Sequence, residues 1–250
     1  MPEIDDGART IEEAVEMARI AAEDGIEYMV STPHMFNGLS HNPEPPEIVA
    51  RVAALNEAIK NSAIQILPGN EVHISHEIAD HVKNNRVTRI NEQNYVLVEL
   101  PAFTVPLGVE HLFHEIRQQG VQPILVHPER NAQIQAQPSI LAEYIERGVF
   151  VQVTAMSVTG EFGPAAQSTS EILLRHNCVH FLATDAHRPY RRPPILSKGR
   201  DAAAAIIGEE RARALVEDNP RAVIEGASFP VLTPLPFEAA TPRRSFLSRF

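Results

Sequence analysis

Ionisable side chains recur at the ends of short apolar runs in this 250-residue chain. One aspartate precedes the first predicted helix, and the other residues close runs such as VSTPH, VLVE and ILVH. Together they are Asp6, His34, Glu71, Glu99, His127, Asp185 and His187. Mixed imidazole and carboxylate ligands suit zinc, manganese or iron, and a carboxylate can bridge two ions. Bridged ions activate water and stabilise the oxygens of a phosphoryl group, so the pattern predicts metal-assisted hydrolysis.

Two arginines strengthen the case for a phosphate substrate. Arg130 follows His127 in the motif HPER, and Arg192 lies in the loop after His187. A guanidinium group can bind two phosphate oxygens at once, so we expect one or both arginines to hold the substrate. A surface salt bridge stays the alternative for Arg130. The remaining histidines are predicted to be surface or packing residues, except that a long loop could bring His41 to the site.

The elements that must position these residues follow a βα pattern. Short β-branched runs alternate with segments of helical period, which is typical of a parallel sheet or barrel. Strands are predicted in IEYMVST, IQILPGNEV, YVLVEL, QPILVHPE, VFVQVT and VHFLATDAH. Helices are predicted over 10–24, 46–61, 74–83, 107–119, 138–147, 164–176 and 198–216. In a parallel barrel all strand carboxyl ends face one rim, so residues scattered along the chain are expected to converge there.

The start of the first helix has its own signal. Thr10 and Glu13 match the S/T-x-x-E capping box, in which two side chains satisfy free N–H groups at a helix start. The preceding stretch IDDGART therefore reads as a turn that leads from a strand into a helix.

Composition and charge exclude several classes of protein. Hydrophobic residues make up 44% of the chain and charged residues 22%, as in ordinary globular proteins. The formal charge of −10 argues against nucleic acid as the main partner. The single cysteine, Cys178, lies in a predicted buried strand and fits a reducing compartment. With no signal segment and no apolar run long enough to enter a bilayer, we expect a cytoplasmic protein without membrane insertion.

Five motifs together make the chain recognisable: STPH, GNEVH, LVELP, LVHPER and ATDAH followed by RPP. From about residue 2 to about 226 it resembles the bacterial PHP-superfamily protein-tyrosine phosphatases of capsule and exopolysaccharide export systems. The resemblance implies a distorted (β/α)7 barrel with a trinuclear metal centre, usually active with manganese; magnesium, zinc and iron stay open. It also implies a substrate, the phosphorylated tyrosines of a partner tyrosine autokinase that controls polymer length.

The resemblance assigns roles by position. It implies that the seven clustered residues ligate metal, with Glu71 as the bridge between ions. It likewise implies that Arg130 and Arg192 bind phosphate. In such proteins a metal-bound hydroxide attacks phosphorus, and no covalent nucleophile takes part.

One departure from the family pattern concerns the N-terminus. Family members open with a strand that ends in His-x-His, and both histidines ligate metal, whereas here only four residues precede Asp5. We therefore expect either a start codon placed too late or a truncated chain. A missing strand would leave unpaired edges on both neighbouring strands and weaken one metal position, so weak activity is expected.

Two other functions remain open at this point. One is another PHP phosphoesterase, such as an enzyme acting on histidinol phosphate. The other is a catalytically inactive protein that docks on the kinase, which the missing His-x-His favours. In either case we expect a single PHP domain over 1–227 and a proline-rich, flexible tail over 228–250.

Overall fold

A computed structural model describes residues 1–2, 4–38 and 41–237. Its strands are β1 (Tyr28–Ser31), β2 (His34–Met35), β3 (Gln65–Pro68), β4 (Glu71–His73), β5 (Tyr95–Glu99), β6 (Gln122–Val126), β7 (Phe150–Thr154) and β8 (Phe181–Ala183). Its helices are α1 (Ile11–Glu23), α2 (Pro45–Ala58), α3 (Ile78–Lys83), α4 (Val109–Gln118), α5 (Ala132–Ala136), α6 (Ile140–Glu146), α7 (Ala155–Val158), α8 (Pro164–Arg175), α9 (Ser197–Ile207), α10 (Glu209–Val216) and α11 (Asp218–Glu225). Short 3₁₀ turns cover Ile90–Glu92 and Pro128–Arg130.

The strands form two sheets, and every strand pair is parallel. The larger sheet has six strands in the order β2-β4-β5-β6-β7-β8, and the smaller one pairs β1 with β3. Helices connect most successive strands, as parallel pairing requires. The predicted α/β class with a parallel sheet is therefore confirmed.

Each of the first two predicted strands is divided into two. The run IEYMVSTPH breaks at Thr32–Pro33 into β1 and β2, and IQILPGNEV breaks at Gly69–Asn70 into β3 and β4. A side chain at position 69 would bring its Cβ within 2.7 Å of Val30, so the two breaks pack tightly against each other. Beyond the breaks, the register places His34 directly opposite Glu71.

The helix starts and stops mostly follow the predictions. The Thr10 hydroxyl accepts a hydrogen bond from the Glu13 N–H at 3.3 Å, and the Glu13 carboxylate accepts one from the Arg9 N–H at 2.8 Å. The capping pair is thus confirmed, with Glu13 reaching one residue further back than expected. The single helix predicted over 198–216 is wrong, because Gly208 adopts a left-handed backbone (φ 87°) and separates α9 from α10.

The main apolar core lies between strands β4 to β8 and the helices outside them. Cys178 belongs to this core, and burial raises the pKa of its thiol to about 12, which agrees with the predicted packing role. A second cluster joins α1 and α2 to β3.

The two sheets do not close into a barrel within the described chain. β1 pairs with β3 on one side only, and β8 pairs with β7 on one side only. Between these two edges lies a largely apolar cavity of about 540 Å³, lined by both strands and by Leu97 and Ile124 from the sheet interior.

Residues 228–237 contact the body of the protein. Phe229 packs on Phe150 and Phe181, with ring centroids 5.0 and 5.4 Å apart. The Leu235 N–H donates to the carbonyl of His176 at 2.8 Å. The rest of the predicted tail, 238–250, lies outside the described residues. No helix in the described part of the chain is both long and apolar enough to cross a membrane.

Candidate metal centre

The predicted site residues converge at one end of the sheets. In each of the nine residues, a side-chain nitrogen or oxygen atom lies within 3.8 Å of a side-chain nitrogen or oxygen atom of another member of the set. Asp6 precedes α1, His34 and Glu71 open the short strands β2 and β4, and Glu99 ends β5. The others follow β6 or β8: His127, Arg130, Asp185, His187 and Arg192.

Glu71 lies at the centre of a first group of ligand atoms. Its Oε1 is 3.0 Å from Nε2 of His127 and 3.6 Å from Nδ1 of His34. Glu99 completes the group, with Oε1 3.8 Å from His127 and Oε2 3.9 Å from His34. Ligand atoms of His34, Glu71 and Glu99 all lie within 4.8 Å of one another, a spacing that suits a shared ion.

Asp6 connects two histidines in a second group. Its carboxylate oxygens lie 3.5 Å from Nε2 of His34 and 3.5 Å from Nε2 of His187. The Nδ1 of His187 lies 3.0 Å from the backbone carbonyl of Asp185, and a proton on that nitrogen would donate to the carbonyl. Nε2 would then carry the lone pair, on the side that faces Asp6.

His34 takes part in both groups through opposite ring nitrogens. Nε2 faces Asp6, whereas Nδ1 faces Glu71. A neutral imidazole has only one unprotonated nitrogen, so His34 can ligate one ion at a time. A bridge between two ions would therefore have to come from a carboxylate, and Glu71 approaches both His34 and His127 more closely than Glu99 does.

The ionisation states of two residues reflect this crowding. Burial acts to lower the pKa of His127, but the adjacent Glu71 carboxylate outweighs it and raises that pKa. Burial acts to raise the pKa of Glu99, yet the hydrogen bond with His73 and the charges of the nearby histidines outweigh burial and lower that pKa. The lowered pKa of Glu99 favours its charged form, the form in which a carboxylate ligates a cation.

Both arginines converge on Asp185. Arg130 Nη2 lies 2.9 Å from Asp185 Oδ2, and Arg192 donates to the same oxygen. The guanidinium carbons of both also lie over the ring of Phe162, at 5.1 and 5.4 Å from its centroid. The ring and the carboxylate therefore hold the two guanidinium groups side by side next to the histidines.

Two residues of the site have a strained backbone. His127 (φ 37°) and Asp185 (φ 50°) adopt left-handed conformations that non-glycine residues rarely use. Such strain persists where the surrounding structure fixes it, and it clusters at functional sites. Here it turns two side chains that follow β6 and β8 back toward the common centre.

Three residues of this region were missed or misplaced by the sequence predictions. His73, predicted to be a packing or surface residue, has Nδ1 3.5 Å from Glu99 Oε2. Asp5 accepts the His34 N–H at 3.0 Å and so fixes the backbone of a ligand. The adjacent aspartates of IDDG were a usable signal for Asp5, but nothing in the sequence marked Phe162. His41, which the long loop could have brought to the site, lies instead 3.5 Å from Glu47 of α2.

The donor set fits divalent metal ions. Three-residue groups of imidazole and carboxylate atoms occur at Asp6–His34–His187 and at His34–Glu71–Glu99. Oxygen and nitrogen donors of this kind suit manganese, zinc or iron, and they do not discriminate among them.

Comparison with known proteins settles the family. Residues 1–225 match the family model described as "Capsular polysaccharide synthesis, CpsB/CapC". The chain belongs to the CpsB/CapC family.

Several members of the CpsB/CapC family are similar over most of the chain. Tyrosine-protein phosphatase YwqE of Bacillus subtilis is 35% identical over 189 residues, which is 75% of this chain and 74% of YwqE. The putative tyrosine-protein phosphatase CapC of Staphylococcus aureus is 34% identical, covering 78% of this chain and 77% of CapC. CpsB of Streptococcus agalactiae, also named a tyrosine-protein phosphatase, is 24% identical and covers 89% and 94% of the two chains.

A solved structure shares the fold. It superposes with a TM-score of 0.90 at 30% identity and covers 95% of this chain and 96% of its own. It belongs to a study of YwqE from Bacillus subtilis and CpsB from Streptococcus pneumoniae, described as "unique metal-dependent tyrosine phosphatases". The predicted resemblance to metal-dependent tyrosine phosphatases of capsule synthesis is therefore confirmed.

Proposed function

We propose that this chain is a metal-dependent protein-tyrosine phosphatase that hydrolyses phosphotyrosine on a partner tyrosine autokinase of capsule or exopolysaccharide synthesis. The observation that carries the proposal is the convergence of two imidazole–carboxylate groups beside two arginines. The names of the relatives support the same activity, and the family description supports a role in polymer synthesis.

In this proposal the seven predicted ligands hold the metal ions. Asp6, His34 and His187 would hold one ion, Glu71, Glu99 and His127 would hold another, and Glu71 would bridge the two. Asp185 extends the set beside the arginines. Divalent ions, manganese in our proposal, supply activation of water and neutralisation of the charge on the phosphate oxygens.

Arg130 and Arg192 bind the phosphate group in this scheme. Both guanidinium groups already point at one carboxylate oxygen, that of Asp185, so they are spaced to engage oxygens of a single anion. The two positive charges would stabilise negative charge on the phosphate oxygens during ester cleavage. Because Arg192 is largely buried, its charge acts in a medium of low polarity, where it is more effective than in water.

We also propose a complete fold and a domain organisation for the chain. The two sheets are parts of a distorted (β/α)7 barrel that one further strand between β1 and β8 would close, which the cavity between those edges supports. Residues 1–227 form the phosphatase domain and 228–250 a tail whose first residues rest on α8 and β8. A cytoplasmic location fits the single free cysteine.

The open edge between β1 and β8 favours a second candidate, a kinase-binding protein without activity. Measuring metal content together with hydrolysis of a phosphotyrosyl peptide separates the two. The phosphatase proposal predicts bound metal and hydrolysis that stops when EDTA is added and resumes with manganese. Tight peptide binding with no hydrolysis at any metal concentration would establish the second candidate. Preferential hydrolysis of histidinol phosphate would instead reassign the substrate.

A separate experiment tests the fold proposal. Adding an N-terminal strand that ends in His-x-His should raise the number of bound metal ions and the rate of hydrolysis, because it supplies two ligands and pairs both free edges. The matched control carries the same strand with Gln-x-Gln. Equal metal content in the two extended chains would contradict the placement of the strand beside the site.

A further inference from the structure

The loop that follows Glu99 carries two large apolar side chains in solvent. Phe103 is 79% exposed and Leu107 is 96% exposed. Single exposed apolar residues are common on protein surfaces and need no explanation. Two such residues in one short loop, at the carboxyl end of a strand that supplies a site residue, need an explanation.

This 101–107 loop is held firmly in place. Asn131 donates to the carbonyls of Pro101 and Thr104 at 2.7 and 3.1 Å. The Ala132 N–H donates to the carbonyl of Ala102 at 2.9 Å, and the Val105 N–H donates to the side chain of Gln133 at 2.9 Å. Val105 also packs against the main core. The backbone on both sides of Phe103 is therefore fixed, and the exposure of Phe103 is a feature of the folded loop rather than a result of fraying.

The hydrogen bonds connect the loop to the candidate phosphate site. Asn131, Ala132 and Gln133 directly follow Arg130, whose guanidinium group lies 2.9 Å from Asp185. The loop itself follows Glu99, one of the predicted metal ligands. The backbone that carries Arg130 is thus hydrogen-bonded, through the three residues that follow it, to the loop that carries Phe103 and Leu107.

We propose that the 101–107 loop binds an apolar side chain of the phosphorylated peptide, next to the phosphotyrosine. This inference rests on the proposed function and adds the class of substrate, an extended segment with an apolar residue beside the modified tyrosine. The net charge of −10 supports an apolar contact, because long-range attraction cannot hold an acidic phosphopeptide on this protein. Burial of Phe103 and Leu107 against a peptide would provide a short-range source of affinity that does not depend on charge.

Peptide binding tests the inference without requiring turnover. The probes are two peptides with a non-hydrolysable phosphonomethyl-phenylalanine in place of phosphotyrosine, one flanked by leucine and valine and the other by serine. With manganese present, the full chain should bind the apolar-flanked peptide about tenfold more tightly, as measured by fluorescence anisotropy. The double variant Phe103→Ser, Leu107→Ser should bind both peptides equally, while inorganic phosphate competes as it does in the parent chain.

The matched control is Val231→Ser, Leu232→Ser, which removes two exposed apolar side chains from the segment after α11. It should keep the tenfold preference, and thermal unfolding should show all variants folded. Loss of the preference in this control, or its retention in the loop variant, overturns the inference. If the loop variant alters only self-association in sedimentation experiments, the surface binds a second copy of the chain and the inference is also wrong.

Failure of the inference is distinct from failure of the proposed function. If phosphate and both peptides bind the parent chain with no preference for apolar flanks, the loop has no such role while the phosphatase proposal stands. If neither phosphate nor peptide binds, the proposed function fails and the inference fails with it.

Discussion

Oε1 of Glu71 lies 3.0 Å from Nε2 of His127, and both side chains are buried. The pair joins the start of β4 to the residue after β6 across the intervening strand β5. A buried carboxylate that also approaches His34 is in the position to ligate two ions. Replacing Glu71 with Gln keeps the shape of the side chain and removes its charge. We expect the affinity of the protein for metal to fall about 10–100-fold, and the rate of p-nitrophenyl phosphate hydrolysis to fall at least as much.

Glu77→Gln is the matched control for Glu71→Gln. Glu77 precedes α3 and its side chain is largely exposed, so its replacement should leave metal content and hydrolysis within about twofold of the parent chain. Elemental analysis after gel filtration measures the metal directly. Unchanged metal affinity in Glu71→Gln would rule out the bridging role.

Arg130→Lys tests the binding of phosphate. Lysine keeps the positive charge but lacks the planar fork that can engage two oxygens, so kcat/KM should fall by about 10–100-fold. The apparent inhibition constant of inorganic phosphate should rise in parallel, since both ligands use the same contact. Arg188→Lys is the control, because Arg188 lies 3.7 Å from Glu13 at the start of α1. Equal effects of the two substitutions would show that Arg130 has no special contact with phosphate.

Much of this site follows from the sequence because its residues obey one rule of parallel sheets. Polar side chains that follow successive strands meet at one rim, and the structure brings Glu99, His127 and Asp185 together in this way. The division of the first two strands was not predictable from periodicity. It depends on close packing between Gly69 and Val30, residues far apart in sequence. As a result His34 and Glu71 open short strands instead of ending long ones.

Other contacts were beyond sequence reasoning because they depend on tertiary distance alone. His73 lies near Glu99 only because β4 and β5 pair in a register that places these two residues opposite each other. Phe162 reaches Arg130 and Arg192 from the turn before α8, which no local pattern connects with either arginine. The capping pair at Thr10 was predictable because its partners are three residues apart.

Phe162→Leu tests whether the aromatic ring positions the arginines. Leucine fills similar space but has no π face, so both guanidinium groups lose an attraction worth about 0.5–2 kcal/mol at such sites. We expect the KM for p-nitrophenyl phosphate to rise about fivefold with little change in kcat. Phe162→Tyr keeps the ring and should retain the parent KM. If Phe162 had a purely structural role, Phe162→Leu would instead have a lower melting temperature and the same KM as the parent chain.

Metal binding should stabilise the fold, because it relieves repulsion among the converging carboxylates. Manganese at 100 times its dissociation constant would add about 2.7 kcal/mol to the free energy of unfolding. For a chain of this size that corresponds to a rise of about 5–10 °C in melting temperature relative to the EDTA-treated protein. Asp6→Asn should reduce the rise, whereas Asp80→Asn, on the exposed face of α3, should preserve it. A melting temperature that does not respond to manganese would contradict the proposed site.

His180 gives the protein a pH dependence that is separate from the metal site. It is 4% exposed, and its Nδ1 accepts the Val151 N–H at 3.1 Å. No described residue bonds its Nε2. Burial lowers the pKa of His180 from 6.5 to about 4. Between these values the unfolded chain binds a proton that the folded chain does not, so stability falls as pH decreases from about 6.5 toward 4.

Urea unfolding of the EDTA-treated protein at pH 7 and pH 5 measures this effect. Relative to His180→Asn, which cannot titrate, the parent chain should lose about 2 kcal/mol of unfolding free energy between the two pH values. Other groups with lowered pKa, such as His81, occur in both proteins and cancel in the comparison. Asparagine can still accept the Val151 N–H, so the variant is expected to fold. A difference between parent and variant that is the same at pH 7 and pH 5 would show that His180 titrates normally in the folded protein.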